Sequence, residues 1–157
     1  MMALTEQLRQ ELDELVRNYP DKRAALIPFL HRCQEELGGW ISPEVMEDCA
    51  EYFGLEPVEI YGVASFYPMF RLRPIGRHVV SVCRNISCDL RGADEIVQRA
   101  CAVTSARVGE SSDDGRFYLE TVECQGACAD APMMVVDGTY HENLESDDVE
   151  RILGGLE

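Results

Sequence analysis

The chain has 157 residues, enough for one domain or for a small domain with a helical extension, and enough to bury a core without disulfides. Its formal net charge is −15, from 14 basic and 29 acidic residues, which argues against nucleic-acid binding because phosphate contacts need clustered Lys and Arg. No run of about 18 apolar residues is present and the amino terminus lacks the pattern of a signal peptide. We therefore expect a cytoplasmic protein. The acidic surface suits docking on a basic partner, although solubility alone also explains it.

Residues 1–72 show the apolar periodicity of a series of helices. A first helix is expected over 5–17, capped by Thr5, and a second over 22–37, capped by Asp21. Pro28 lies inside the second pattern and predicts a kink or a late start. A third helix is expected to begin at Ser42-Pro43 and end at Gly54, and a short fourth to run from Glu56-Pro57 to about residue 64. The apolar stretch 65–70 is expected to be extended, as core or as a surface that faces a partner.

After about residue 72 the pattern changes to strand, helix, strand, strand, helix. Strands are expected over 78–83, 117–123 and 133–136, with a polar loop over 104–116. Asp137-Gly138 predicts a hairpin turn into a further strand over 139–141. Helices are expected from Asp89 to about residue 103 and after a capping Ser146. These elements predict a mixed α/β (α+β) fold.

Four of the seven cysteines stand in pairs, directly after two of these strands. Cys83 and Cys88 are spaced C-x4-C, and Cys124 and Cys128 are spaced C-x3-C. An odd cysteine count without a secretion signal favours metal or redox use over a disulfide framework. If both strands end at one edge of a sheet, the pairs converge and supply the four thiolates of a [2Fe–2S] cluster. Gly126 leaves room for the backbone to approach the cluster.

Other readings of these cysteines stay open at this point. A structural zinc ion also takes closely spaced cysteine pairs, and free cysteines are often simply buried. The chain has no C-x-x-C motif, which counts against a thioredoxin-type thiol oxidoreductase. A Rieske-type cluster would need two histidine ligands, but the histidines are scattered; they are His31, His78 and His141. We find no nucleotide-binding motif and no catalytic residue, and we expect the remaining cysteines to be apolar core; these are Cys33, Cys49 and Cys101.

The cysteine motifs resemble a known family. The first reads CRNISCDLRG over 83–92, and the second reads VECQGACADAPMM over 122–134. Together with QEELGGWI at 34–41 and VASFY at 63–67, they resemble the thioredoxin-like [2Fe–2S] subunit of respiratory complex I, which is the E-type subunit of bacterial NADH-quinone oxidoreductase. The resemblance implies an N-terminal helical bundle over 1–72 and a thioredoxin-like [2Fe–2S] domain over 73–157. It also implies that Cys83, Cys88, Cys124 and Cys128 are the ligands of one [2Fe–2S] cluster.

The resemblance implies an electron-transfer subunit without a catalytic site of its own. In that family the subunit packs on a larger flavoprotein subunit, which carries FMN, a [4Fe–4S] cluster and the NADH site, within the peripheral arm of a membrane-associated complex. The [2Fe–2S] cluster exchanges one electron with FMN. The same module is reused in NAD-linked hydrogenases and formate dehydrogenases, and a free-standing ferredoxin is a further alternative. One departure is Arg84-Asn85-Ile86-Ser87 in the first loop, where relatives often have Thr or Pro. The local hydrogen bonds to cluster sulfur depend on this loop, so the resemblance does not carry over the reduction potential.

Overall fold

The computed structural model describes residues 4–156, which form two compact units divided along the chain between Pro74 and Ile75. The first unit is helical, and the second is a five-stranded mixed sheet with helices. The mixed α/β class expected from the sequence is confirmed. The assignment of 1–72 and 73–157 as separate domains stays a prediction. Within the described residues, no helix has the length and apolar character needed to span a membrane.

The helical unit begins as its capping residues predict. Its helices are α1 (Glu6–Arg17), a 3₁₀ turn (Lys22–Ala25), α2 (Leu26–Glu36), α3 (Pro43–Phe53) and α4 (Pro57–Phe66). The hydroxyl of Thr5 accepts a hydrogen bond from the Leu8 amide at 3.2 Å, and that of Ser42 accepts one from the Val45 amide at 3.3 Å. The late start expected from Pro28 is also confirmed, since α2 begins at Leu26. The side chains of Phe29 and Ile60 lie at the fully buried centre of this unit.

One expectation in the helical unit is wrong. Ser65 and Phe66 were expected to be extended, but both are helical because α4 runs two residues beyond the expected end. The backbone amide of Glu56 donates to the carboxylate of Glu59 at 3.1 Å, so a capping box starts α4 firmly. The helix ends at Tyr67, whose extended backbone (φ −93°, ψ 113°) is the conformation favoured before a proline.

The sheet unit has the strand order β2-β3-β1-β4-β5. Its strands are β1 (His78–Cys83), β2 (Glu110–Ser111), β3 (Phe117–Val122), β4 (Met134–Val136) and β5 (Thr139–His141). β1 pairs with β3 in parallel, and every other pair is antiparallel. The helices are α5 (Ile86–Leu90), α6 (Ala93–Thr104) and α7 (Ser146–Gly154), and a 3₁₀ turn covers Cys128–Asp130.

Three local expectations in the sheet unit are corrected. Asp89 does not cap the long helix: it lies inside the short helix α5, and Gly92 (φ 92°) separates α5 from α6. Ser146 is the first residue of α7, whose cap is Glu145 in a capping box with Asp148. The short strand β2 lies in the segment that was expected to be only loop.

The central pair of strands is held in tight contact. Val80, Val82 and Leu119 are fully buried in the core that the helices cover. Just before β1, a Cβ atom added to Gly76 would lie 2.2 Å from the backbone carbonyl carbon of Phe117. This close approach of the two backbone segments therefore requires glycine. The parallel register places the ends of β1 and β3 side by side, where the two cysteine loops begin.

Candidate metal centre

The parallel pairing of β1 with β3 brings the two cysteine loops to one edge of the sheet. Cys83 is the last residue of β1 and stands opposite Val122, the last residue of β3. The Arg84 amide donates to the Val122 carbonyl at 2.9 Å, which extends the pairing into the first loop. Cys124 follows two residues later. The two strands therefore end at one edge of one sheet, which is the condition under which we expected the cysteine pairs to converge.

The first cysteine loop is part of a small core. The side-chain oxygen of Asn85 accepts a hydrogen bond from the Ile86 amide at 2.8 Å and so starts α5. One turn of α5 directs Cys88 inward, where it is 2% exposed, next to Cys83 at 3%. Both sulfurs pack in a cluster with Ala93, Ala131 and Met133. Water is therefore largely excluded from this pair.

The second cysteine loop lies at the surface. Cys124 and Cys128 are both exposed. Gly126 has φ 81°, a left-handed backbone conformation that favours glycine, and a Cβ added there would meet no other protein atom within 4 Å. The turn aims the Gly126 amide at the Cys124 sulfur, 3.3 Å away. The Tyr140 hydroxyl donates to the Gln125 carbonyl at 3.1 Å and ties the loop to β5.

The thiols of the two loops interact. Burial, together with the hydrogen-bonded Cys83 thiol, raises the pKa of Cys88 to about 11, and Cys128 adds to the rise. The Cys83 thiol also donates to the Glu123 carbonyl at 3.8 Å. A metal that binds here displaces thiol protons, so loading is expected to release protons.

The arrangement fits a group that contains two metal atoms. Each iron of a [2Fe–2S] cluster takes two of the four thiolates, so two adjacent pairs suffice. Across residues 4–156, no three His, Cys, Asp or Glu side chains are grouped so that they could hold a metal ion, so the four thiols are singled out by their loops and not by a formed ligand group. The amide aimed at the Cys124 sulfur is the kind of donor that tunes an iron–sulfur cluster.

The other cysteines and two of the three histidines have structural contacts elsewhere in their own units, whereas the register places His141 beside Met134, whose partner Val82 precedes Cys83. Cys33 and Cys49 are fully buried in the helical core, as expected, and Cys101 is partly buried on α6. The hydrogen bond with Cys33 and burial raise the pKa of Cys49 well above its usual range. His78 begins β1, at the opposite end of the strand from Cys83, and its Nδ1 lies 2.6 Å from the Asp137 carboxylate. The ring of His31 packs on Phe70.

Comparison with known proteins identifies the family of this chain. The family model described as thioredoxin-like [2Fe–2S] ferredoxin matches residues 12–157. This chain belongs to the thioredoxin-like [2Fe–2S] ferredoxin family. The resemblance drawn from the cysteine motifs is thereby confirmed.

Relatives in this family match over most of the chain. An E-type subunit of the NADH-quinone oxidoreductase of Rhizobium meliloti is 39% identical over 146 residues, 93% of this chain and 86% of the relative. NADH-quinone oxidoreductase subunit 2 of Thermus thermophilus is 37% identical, over 99% of this chain and 87% of the relative. The mitochondrial NADH dehydrogenase [ubiquinone] flavoprotein 2 of Dictyostelium discoideum is 39% identical over 90% of this chain, but this match covers only 58% of its own length.

A solved structure shares the fold. A chain of an NAD⁺-reducing [NiFe]-hydrogenase in the air-oxidised state aligns over 83% of this ferredoxin-family chain with a TM-score of 0.73 and 22% identity. The alignment spans only 22% of that hydrogenase chain, so the shared fold is one part of a larger protein.

Two features of the site were missed from the sequence. Arg84, inside the first cysteine loop, forms an ion pair with Asp94 at 2.9 Å, which ties the loop to α6. Ile86 and Leu90 project outward from α5 and are among the most exposed large apolar side chains of the described residues. Their spacing of four residues is the signal that was available, since i and i+4 share one face of a helix, but α5 itself was not predicted.

Proposed function

We propose that this chain is the electron-transfer subunit of an NADH-quinone oxidoreductase and that it holds one [2Fe–2S] cluster on Cys83, Cys88, Cys124 and Cys128. The convergence of the two cysteine loops at the paired ends of β1 and β3 carries the proposal. Relatives that are 33–39% identical are named as subunits of NADH-quinone oxidoreductase, or of the mitochondrial NADH dehydrogenase, which supports that host complex.

The proposed partner is the larger subunit of the complex, which binds NADH and FMN. The [2Fe–2S] cluster would accept or donate one electron at a time, in exchange with the FMN of that subunit. No residue of this chain is proposed to bind NADH or to catalyse a reaction on its own. The proposed location is the cytoplasmic peripheral arm of a membrane-associated complex.

The chain's own residues would shape the environment of the four thiolates. The small core around Cys83 and Cys88 excludes water from one side of the site. The Gly126 amide donates a hydrogen bond to the Cys124 sulfur. The hydrogen bond from Tyr140 holds the carbonyl of Gln125 and thereby fixes the turn that aims this amide. These contacts are the means by which the protein would set the reduction potential.

Metal analysis of anaerobically purified protein tests the proposal directly. We expect about two irons and two acid-labile sulfides per chain, and a spin-half EPR signal after reduction with dithionite. One zinc per chain, with no sulfide and no colour, would instead identify a structural zinc module and remove the electron-transfer proposal.

Serine substitutions test the ligand assignment. Serine in place of any one of the four proposed ligands should abolish or visibly perturb the EPR signal, because one iron then loses a thiolate. The matched controls are Cys33→Ser, Cys49→Ser and Cys101→Ser, which should keep the full iron content. An unchanged signal after any of the four ligand substitutions would refute the assignment of that residue.

A further inference from the structure

The short helix α5 turns Cys88 inward and two apolar residues outward. Cys88 is 2% exposed, whereas Ile86 and Leu90 on either side of it are 72% and 80% exposed. The two apolar side chains are four residues apart and therefore lie on the same face of the helix. The fold does not use this face, because the small core around the first cysteine pair is built from Cys88 and its neighbours on the opposite side.

The loops around this face carry an excess of negative charge. Asp89 on α5, and Glu123, Asp130 and Glu142 on the neighbouring segments, are exposed at the cysteine edge of the sheet. Two contacts bring these loops together: the Asn143 amide donates to the Asp130 carbonyl at 2.6 Å, and the Arg91 guanidinium donates to the Asn143 side chain at 3.3 Å.

The positive charges here are fewer. Arg84 forms an ion pair with Asp94 at 2.9 Å, whereas Arg91 donates to the neutral side chain of Asn143 at 3.3 Å and keeps its charge. The exposed carboxylates therefore outnumber the arginines on the segments that meet near this apolar pair. This arrangement matches one half of a protein interface, in which an apolar centre is bordered by a charged rim.

We propose that Ile86 and Leu90, named here the anchor pair, dock the chain on its flavoprotein subunit. The partner face is expected to offer an apolar hollow bordered by Arg and Lys side chains, the complement of the carboxylates around the anchor pair. This inference rests on the proposed function, because it takes the flavoprotein subunit as the occupant. Docking through α5 brings the partner against the loop that holds Cys83 and Cys88, where electron exchange is proposed.

Charge argues against a second copy of this chain as the occupant. A symmetric dimer through the anchor pair would bring the same carboxylates of both copies together. Like charges facing each other across an interface oppose association, and the chain as a whole carries a net charge of −15. A partner of opposite charge removes this cost.

The test measures the affinity between the two subunits. The cluster-loaded full chain is titrated with the purified flavoprotein subunit of its complex, and the variant replaces both anchor residues (Ile86→Glu with Leu90→Glu). We expect the Kd to rise at least about 30-fold, because buried apolar anchors dominate interface energies. The control is Val108→Glu, which adds a charge at an apolar residue that is 44% exposed and outside the cysteine loops. It should change the Kd by less than about threefold.

Iron content and the EPR spectrum are recorded for every variant, so that loss of binding is separated from loss of the cluster. If the Glu variant does not retain iron, Ile86→Ala with Leu90→Ala replaces it, with an expected rise in Kd of about tenfold. Raising the salt concentration should weaken binding of the unsubstituted chain, because the rim contacts are electrostatic.

The outcomes separate the two proposals. If a variant keeps its cluster and its Kd lies within threefold of that of the unsubstituted chain, the anchor pair is not the docking site. If the Kd does not change with salt, the partner face has no basic border. A dimer of the unsubstituted chain that the variant dissociates shows that the occupant is a second copy. Failure of the unsubstituted, cluster-loaded chain to bind the flavoprotein at all contradicts the proposed function instead.

Discussion

The two cysteine loops reach the same edge of the sheet with very different support. Cys83 and Cys88 are buried in a small core with Ala93, Ala131 and Met133. The second loop packs less: Ala127 lies against that core, but Cys124 and Cys128 are exposed, and the 3₁₀ turn Cys128–Asp130 buries none of its residues. One pair is held by packed side chains, and the other mainly by backbone geometry.

This difference indicates how the proposed site would assemble. The fold forms the first pair without help from a metal, because burying its neighbours already stabilises the position of both sulfurs. The second pair has little to hold it, so the free energy of metal binding would order it. The first loop is therefore expected to matter for folding as well as for the cluster, and the second loop for the cluster alone.

The largest expected effect is on the stability of the cluster-free protein. Cys88→Ser places a hydroxyl in a buried apolar position and should lower the free energy of unfolding by about 2 kcal/mol. Cys128→Ser changes an exposed residue and should lower it by less than about 0.5 kcal/mol. Urea denaturation of both cluster-free variants, beside the cluster-free parent, measures the two values. Equal losses would show that the second loop is as firmly packed as the first.

A somewhat smaller effect is expected in backbone hydrogen exchange. Loading the cluster should slow exchange of the amides of residues 124–128 by at least about tenfold, and that of residues 84–88 by less than about threefold. The reason is that the second loop exposes both of its cysteines and packs less tightly than the first, through Ala127. Amides of residues 60–64 in α4 serve as the reference for changes unrelated to the site. Similar slowing in both loops would contradict a preformed first pair.

The contrast between the loops explains which parts of the site could be predicted. The strand that ends at Cys83 and the strand before Cys124 have local apolar patterns, and the convergence of the pairs follows once they share a sheet. The capping signals at Thr5 and Ser42 are equally local, and both are confirmed.

Burial of the first pair depends on distant residues. The Cys83 amide donates a hydrogen bond to the Met133 carbonyl at 3.2 Å, and these two residues are far apart in sequence. Nothing in the C-x4-C and C-x3-C spacings distinguishes a buried pair from an exposed one. The break between α5 and α6 was missed for a related reason: Asp89 is a residue type that often caps helices, and its place within α5 depends on the cap at Asn85.

The smallest effect tests the backbone geometry that holds the second loop. Gly126→Ala places a side chain at φ 81°, a conformation that costs an L-residue about 1 kcal/mol. In the cluster-free protein the loop can relax, so the free energy of unfolding should fall by less than about 0.5 kcal/mol. In the loaded protein the turn is fixed by its ligands, and the full cost should appear in parallel urea titrations of the two forms.

Gly62→Ala is the matched control for this prediction. Gly62 lies inside α4, has no unusual backbone angle, and an added Cβ would meet nothing within 4 Å. Alanine is the better helix former, so this substitution should raise the free energy of unfolding by about 0.5–1 kcal/mol in both forms. If Gly126→Ala costs the same with and without the cluster, the second loop already holds its turn unaided. The difference between the loops would then be one of exposure and not of order.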